Sequence, residues 1–470
     1  MNIEQVSILK SLRVLCLRNV LSGLIYFHLF ILFFQIPLRA IILDFTFWRD
    51  IGIFLIILVW FAYRLIFCKI TFSKKISLEK IVTFFIFYGI INVFVNLIDG
   101  VSLLGASTSF RNHFFPFLLF FPACYVFKDV KNQKQLMYFL SLILFVYMLT
   151  PLIEVILKNA NFPLSQIPWY HHSFNNSTRF EGSESGAYID IENSPILGLL
   201  GYPHYTVVTI VALFALIYPF LFAELDSVRD GSNFKIGTSK YHKFFLLFLF
   251  FSSILIFQVR THMISAFLVL FLFAPRKMDK RKNLILVLAL LLFLIFFSFF
   301  DSGGLGSIAE RFIVGFIGND DNISSFSAIM SVNELYFLIN SDLIDLFFGH
   351  GYNAVSNVTF DEFLQVNSTG WEVKLLFYTA VYGLLWLILF IWINVKALAY
   401  VKLNYKLFDI NSFQYLYSHG FKVMIIVFLI DAGHYMRMMA WPNLDIWIIC
   451  LAVLTAINSK GGNRELELNS

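Results

Sequence analysis

Residues 244 to 274 read FFLLFLFFSSILIFQVRTHMISAFLVLFLFA, an apolar stretch interrupted at Gln258, Arg260, Thr261 and His262. Both flanks are basic, with Lys240 and Lys243 before it and Arg276, Lys277, Lys280, Arg281 and Lys282 after it. If the stretch crossed a membrane once, every earlier segment would invert, and at least 14 basic residues of the first four inner segments would move outside. Short cytoplasmic loops collect Lys and Arg, so the stretch is expected to cross twice. Each arm is then only about 13 to 15 residues, or roughly 20 to 22 Å at 1.5 Å per residue, against a hydrocarbon core of roughly 30 Å. The turn therefore falls short of the outer surface. Arg260 is expected within the outer leaflet, lining a protein cavity, because a charge facing lipid is costly. The alternative is a structural arginine paired to a neighbouring carboxylate.

Working outward, 59% hydrophobic and 14% charged residues and a mean hydropathy of +0.76 exclude an ordinary soluble domain. Apolar runs of spanning length recur near 19 to 36, 51 to 67, 81 to 98, 113 to 127, 136 to 157, 204 to 223, 244 to 258, 262 to 274, 284 to 300, 371 to 394, 422 to 436 and 441 to 457. The expected fold is all-α and polytopic, with about 12 transmembrane helices. Five N-terminal spans occupy 1–157, a first large outer loop 158–203, and central spans including the short hairpin 204–300. A second large outer loop follows at 301–370, then C-terminal spans at 371–457 and a cytoplasmic tail at 458–470. Both termini face the cytoplasm, and the first span reads as an uncleaved anchor.

Charge follows this topology. The inner segments hold 25 of the 35 basic residues, 19 of them Lys, including the cluster Lys69, Lys74, Lys75 and Lys80. The outer set is Arg39, Arg49, Arg111, Lys158, Arg179, Arg260, Arg311 and Arg437, seven of eight being arginine. The net charge of +5 is thus membrane topology, and no nucleic-acid partner is implied. The planar guanidinium suits bidentate capture of phosphate or carboxylate. Depth ranks these arginines: Arg260 is the first candidate to meet a phosphate, and Arg39 and Arg49 read as ordinary interfacial anchors. Cys16, Cys68, Cys124 and Cys450 read as structural. The 58 phenylalanines read as a compositional bias filling lipid-facing positions.

Loops longer than about 15 residues are usually functional or disordered, which singles out 158–203 and 301–370. The second contains Asp345-Leu346-Phe347-Phe348-Gly349-His350-Gly351-Tyr352-Asn353. Val366-Asn367-Ser368-Thr369-Gly370-Trp371-Glu372 and Tyr382-Gly383-Leu384-Leu385 come after it. Here the chain resembles the O-antigen polymerase and ligase group, the Wzy-type polymerases and their ligase relatives. Their hallmark is a Gly-x-Gly turn in a large outer loop, an Asn-containing segment, and a helix bearing Gly-Leu-(Leu/Gly). Gly201-Tyr202-Pro203-His204 and Gln258-Val259-Arg260-Thr261 add to the resemblance, which covers about 180 to 395.

The resemblance implies a membrane-embedded glycosyltransferase of GT-C architecture in the bacterial inner membrane. Its substrates would be oligosaccharides on undecaprenyl diphosphate. A polymerase moves the growing glycan from its lipid carrier onto the next lipid-linked repeat unit at the outer face. It needs no nucleotide sugar, metal or other cofactor, and a chain-length regulator protein is an expected partner. In the ligase pattern a His precedes the Asn of the second motif; this chain has Val366, which favours the polymerase over the ligase.

Residue chemistry leads in the same direction. Without a metal, guanidinium groups must neutralise a departing diphosphate, and Arg260, Arg179, Arg311 and Arg437 are the candidates. Asp431, His434, Arg437 and Asp445 form a second buried polar cluster, either a neutralised network or a substrate contact. An acceptor hydroxyl also needs a general base. His350 is the first choice, since flanking glycines permit a tight turn near a ligand and an imidazole titrates near neutrality; Glu372 and Glu362 are reserves. Asn353, Asn367 and His204 are candidate sugar-binding residues, with helix capping the alternative for Asn367. A lipid-linked oligosaccharide flippase is the competing class, although its loops should be short.

Overall fold

The computed structural model describes residues 3–41, 47–67, 77–98, 100–160, 198–200, 203–222, 240–257, 337–351, 374–432 and 442–468, with single residues at 162, 164, 167, 265, 266, 269, 335, 355 and 439. Most of the described residues are helical, with no strand among them. The helices are α1 (Ile3–Ile41), α2 (Trp48–Phe67), α3 (Leu78–Ile98), α4 (Leu103–His113), α5 (Phe120–Val126, after a 3₁₀ turn Phe115–Leu119), α6 (Val130–Asn159), α7 (Pro203–Phe222), α8 (Lys240–Phe257), α9 (Leu343–Phe348), α10 (Lys374–Tyr382), α11 (Leu384–Leu407), α12 (Phe413–Ala432) and α13 (Asn443–Leu468). Five helical segments are long and apolar enough to cross a membrane: Arg18–Arg39, Leu78–Ile98, Val130–Asn159, Leu384–Leu407 and Phe413–Ala432. Shorter apolar helices lie at Phe115–Val126, Tyr205–Leu221, Phe245–Ile254 and Asn443–Ser459.

Helix α3 shows why this bundle belongs in lipid. Phe84, Phe87, Ile91, Phe94 and Ile98 recur at helical spacing along its exposed face, while Asn92 and Asn96 on its inner face are each 2% exposed. Water would favour the opposite arrangement. Outward phenylalanine with inward asparagine is stable where the surroundings are hydrocarbon and each buried polar group finds a partner within the protein.

Contacts set the relative directions of the helices. Arg18 lies 3.9 Å from Asp129, and the Leu78 amide donates to the Tyr400 hydroxyl at 3.3 Å. These contacts join α1 to the start of α6 and the start of α3 to α11. Further along the helices Arg49 meets Asp445 and the Tyr88 hydroxyl donates to the Tyr382 carbonyl. Helices α3 and α11 therefore run antiparallel, since Leu78 meets Tyr400 and Tyr88 meets Tyr382, whereas α1 and α6 run parallel, Arg18 lying near Asp129 and Phe33 near Tyr147.

Backbone irregularities have identifiable partners. Pro37 lies inside α1, and Phe34 departs from helical geometry at φ −111°, ψ 15°. Proline cannot donate to the carbonyl four residues earlier. That carbonyl belongs to Phe33, and the Tyr147 hydroxyl donates to it at 2.6 Å. A β-carbon on Gly420 in α12 would collide with the Leu216 carbonyl of α7, so glycine lets these two helices pack backbone to backbone.

One expected boundary moves. The apolar run 371 to 394, read as a single span, is divided at Gly383, whose φ of 83° no right-handed helix accommodates. The crossing helix begins after it, at Leu384, and runs to Leu407. Helix α13 likewise continues to Leu468, through most of the segment read as a tail.

Candidate functional site: a glycine-braced histidine turn

Short helix α9 ends where the Gly349 amide donates to the Asp345 carbonyl at 2.7 Å. Gly349 and Gly351 both adopt positive φ, 83° and 79°, a region where a side chain is strained. The chain thus makes a sharp double turn around His350. Its amides do not go unpaired: His350 N–H donates to the Ala380 carbonyl at 2.8 Å and Gly351 N–H to the Val381 carbonyl at 3.2 Å. The loop backbone thereby joins the end of α10, where the helix stops and its last carbonyls lack internal partners.

Space for this junction comes from two facing glycines. A β-carbon on Gly349 would collide with the Val381 carbonyl, and one on Gly383 would collide with the Phe347 carbonyl. The third side of the junction is α3, whose Tyr88, Asn92 and Asn96 repeat every four residues and so share one face. The Tyr88 hydroxyl donates to the Tyr382 carbonyl and, at 3.2 Å, lies against that of Phe347. The Asn92 amide donates to the Phe348 carbonyl, and the Asn96 amide donates back to Asn92 at 2.7 Å. Tyr382 in turn shares a hydrogen bond with His113 Nδ1 at the end of α4.

His350 is held at both ring nitrogens. Nδ1 is 3.3 Å from Asp345 Oδ2, with the His350 side chain 19% exposed. Nε2 is 2.8 Å from Ser341 Oγ. Ser341 Oγ is also 2.9 Å from the Phe337 carbonyl, to which it can donate, and the Phe337 ring packs on the imidazole at 5.0 Å between centroids. A carboxylate on one nitrogen and a hydroxyl on the other is the order in which an imidazole orients and moves a proton. Around this group Ile339, Leu343 and Ile344 are exposed, so the segment presents an apolar surface beside its only described histidine.

A second cluster is wholly buried. Arg49 donates from Nε to Asp445 Oδ2 at 3.0 Å and from a terminal nitrogen to Oδ1 at 2.6 Å. His28 Nε2 lies 3.2 Å from the same Oδ2. His28 comes ten residues after Arg18, roughly 15 Å along a helix axis, so α13 begins at about mid-depth in the bundle. The expectation that Arg49 is an interfacial anchor is therefore wrong: its partner lies 396 residues away, beyond the reach of local pattern. Asp445, read with Asp431, His434 and Arg437, is neutralised instead by α1 and α2. Near it Arg111 Nε is 3.6 Å from Asp50 Oδ2, and its guanidinium sits 5.2 Å over the Phe47 ring.

Of the candidate site residues, His350 is the one whose side chain is described. His204 lies in the first turn of α7, but its side chain is outside the described residues. Arg179, Arg260, Arg311, Asn353, Glu362, Asn367, Glu372 and Arg437 also lie outside them. Sequence reasoning missed Ser341, the bracing face of α3, and the buried pair of Arg49 with Asp445. Only the Tyr88, Asn92, Asn96 spacing within an apolar run carried a signal. Among the described residues no three His, Cys, Asp or Glu side chains group as a metal site.

A scan against protein-family models finds no match, and a search of the curated proteins finds none either.

Proposed function

We propose that the protein is a surface-polysaccharide polymerase, a metal-independent glycosyltransferase of the O-antigen polymerase type with about twelve spans and GT-C architecture. It transfers the growing glycan from undecaprenyl diphosphate onto an incoming lipid-linked repeat unit at the outer face of a bacterial inner membrane. The observation that carries this reading is His350, held between Asp345 and Ser341 in a braced turn beside an exposed apolar surface. A base so placed meets a substrate whose reacting sugar sits close to its lipid anchor.

The acceptor hydroxyl loses its proton toward His350 and attacks the anomeric carbon; the carbon–oxygen bond to diphosphate breaks, and the pair leaves with the diphosphate. Arg260, Arg179, Arg311 and Arg437 neutralise that departing charge. Arg49 is not among them, because Asp445 already occupies its fork. Asn353, Asn367 and His204 contact the sugars. Glu372 takes the base role if His350 does not.

The test is the surface glycan of a deletion strain. A single capped repeat unit in place of long chains supports polymerase; a bare lipid anchor makes it a ligase; internally trapped lipid-linked units make it a flippase.

A further inference from the structure

Ser341 has one hydroxyl proton and two acceptors within reach, His350 Nε2 at 2.8 Å and the Phe337 carbonyl at 2.9 Å. Asp345 beside Nδ1 favours the tautomer with hydrogen on Nδ1. In that tautomer Nε2 is an acceptor, and Ser341 donates to it. When His350 is protonated, Nε2–H becomes a donor, and the Ser341 hydroxyl must turn to Phe337. The two protonation states of one imidazole therefore set two orientations of one hydroxyl.

Ser341 does not fit a covalent nucleophile. Acyl attack needs donors for the oxyanion that develops, yet the amides of Gly349, His350 and Gly351 are all bonded to carbonyls of Asp345, Ala380 and Val381. What the geometry offers is a path for a proton. Nε2 faces Ser341, so a substrate hydroxyl reaches the base through that oxygen.

We propose that Ser341 is the proton relay between the acceptor hydroxyl and His350, and that Asp345 is the positioning residue that keeps Nε2 as the base. The proposal rests on the polymerase reading for its substrate. In the step, the acceptor hydroxyl passes its proton to Ser341 Oγ while the Ser341 proton passes to Nε2. The acceptor oxygen bonds to the anomeric carbon, and the diphosphate leaves with the electron pair of the broken bond. The imidazolium then returns its proton through Ser341 to water or to the departing diphosphate.

The test uses the full chain in a deletion strain complemented with Ser341→Ala, Ser341→Thr and Asp345→Asn, each at wild-type protein level. Long-chain glycan should fall at least tenfold for S341A and D345N and return for S341T, which keeps the hydroxyl. Wild-type chain lengths with S341A overturn the relay. A second measurement does not depend on turnover: ¹⁵N-histidine NMR of the purified chain in lipid nanodiscs, with His350→Gln to assign the signal. The wild type should show hydrogen on Nδ1, and D345N should shift the population toward Nε2. A wild-type ring with hydrogen on Nε2, or one indifferent to D345N, overturns the positioning role. If deletion leaves the glycan unchanged, the polymerase reading and the relay fall together, while the NMR result still decides the positioning role of Asp345.

Discussion

Arg49 and Asp445 close a two-pronged ion pair inside the bundle, joining the second helix to the last with contacts of 3.0 and 2.6 Å. A charge taken from water into a protein interior is tolerable only when its partner is there. Removing one side leaves the other exposed to a low dielectric. Arg49→Ala should therefore lower stability by about 3–5 kcal/mol, and Arg49→Lys, which keeps charge but loses the fork, should fall between. Thermal unfolding in detergent measures this; an R49A protein as stable as wild type would show that the pair contributes nothing net.

Three glycines separate backbone strain from steric collision. Gly23 is helical with open space around it, Gly100 has φ +82° with open space, and Gly349 has φ +83° with the Val381 carbonyl in the way. Gly23→Ala should be neutral or stabilise by up to about 1 kcal/mol. Gly100→Ala should cost about 1–2 kcal/mol from the left-handed backbone alone. Gly349→Ala should exceed both and detach the turn, read as new protease cleavage near 337–351. Equal effects at all three would contradict the bracing role of Gly349.

The face of α3 makes a separate prediction. Tyr88→Phe strips the hydroxyl that serves the Tyr382 and Phe347 carbonyls, and Asn92→Leu strips the donor to Phe348. Leaving a buried acceptor without its partner costs about 1–3 kcal/mol. Both variants should keep the bundle and loosen the glycine-braced turn, seen as faster amide exchange at His350 and Gly351 with little change at Leu140 or Ile393.

For the proposed reaction, His350→Ala should abolish chain elongation while lipid-linked substrate still binds. Arg260→Lys should reduce polymerisation strongly at unchanged protein level, because the ammonium cannot form two parallel bonds to a phosphate. Wild-type chain length in the arginine variant would remove Arg260 from the diphosphate site, and an active histidine variant would transfer the base to Glu372.

Much of the architecture was legible because hydrocarbon imposes a length and a composition on any helix that crosses it. Sequence spacing placed segments such as 81 to 98 and 136 to 157, and the structure finds helices there at Leu78–Ile98 and Val130–Asn159. The Gly349–His350–Gly351 turn was visible as a turn, since two glycines flanking a polar residue imply unusual backbone. What braces it was not. Asn92 serves a carbonyl 256 residues later, and no local pattern records a partner that far away. Gly383 looked like part of a continuous span because its neighbours are apolar; its positive φ follows from packing against Phe347. Arg49 was misplaced for a related reason: its place near a short outer loop ranked it as an interfacial anchor, and Asp445, its partner, lies 396 residues away.

The outward face of α3 also bears on how such a chain diverges. Phe84, Phe87 and Phe94 are exposed, and a hydrocarbon surrounding distinguishes poorly among large apolar side chains. These positions are free to drift between generations without loss of the fold. Tyr88, Asn92, Gly349 and Gly383 are not, since each answers to one backbone group. Distant descendants of this protein should share little of its overall composition and still carry that small set of polar and glycine positions in the same order.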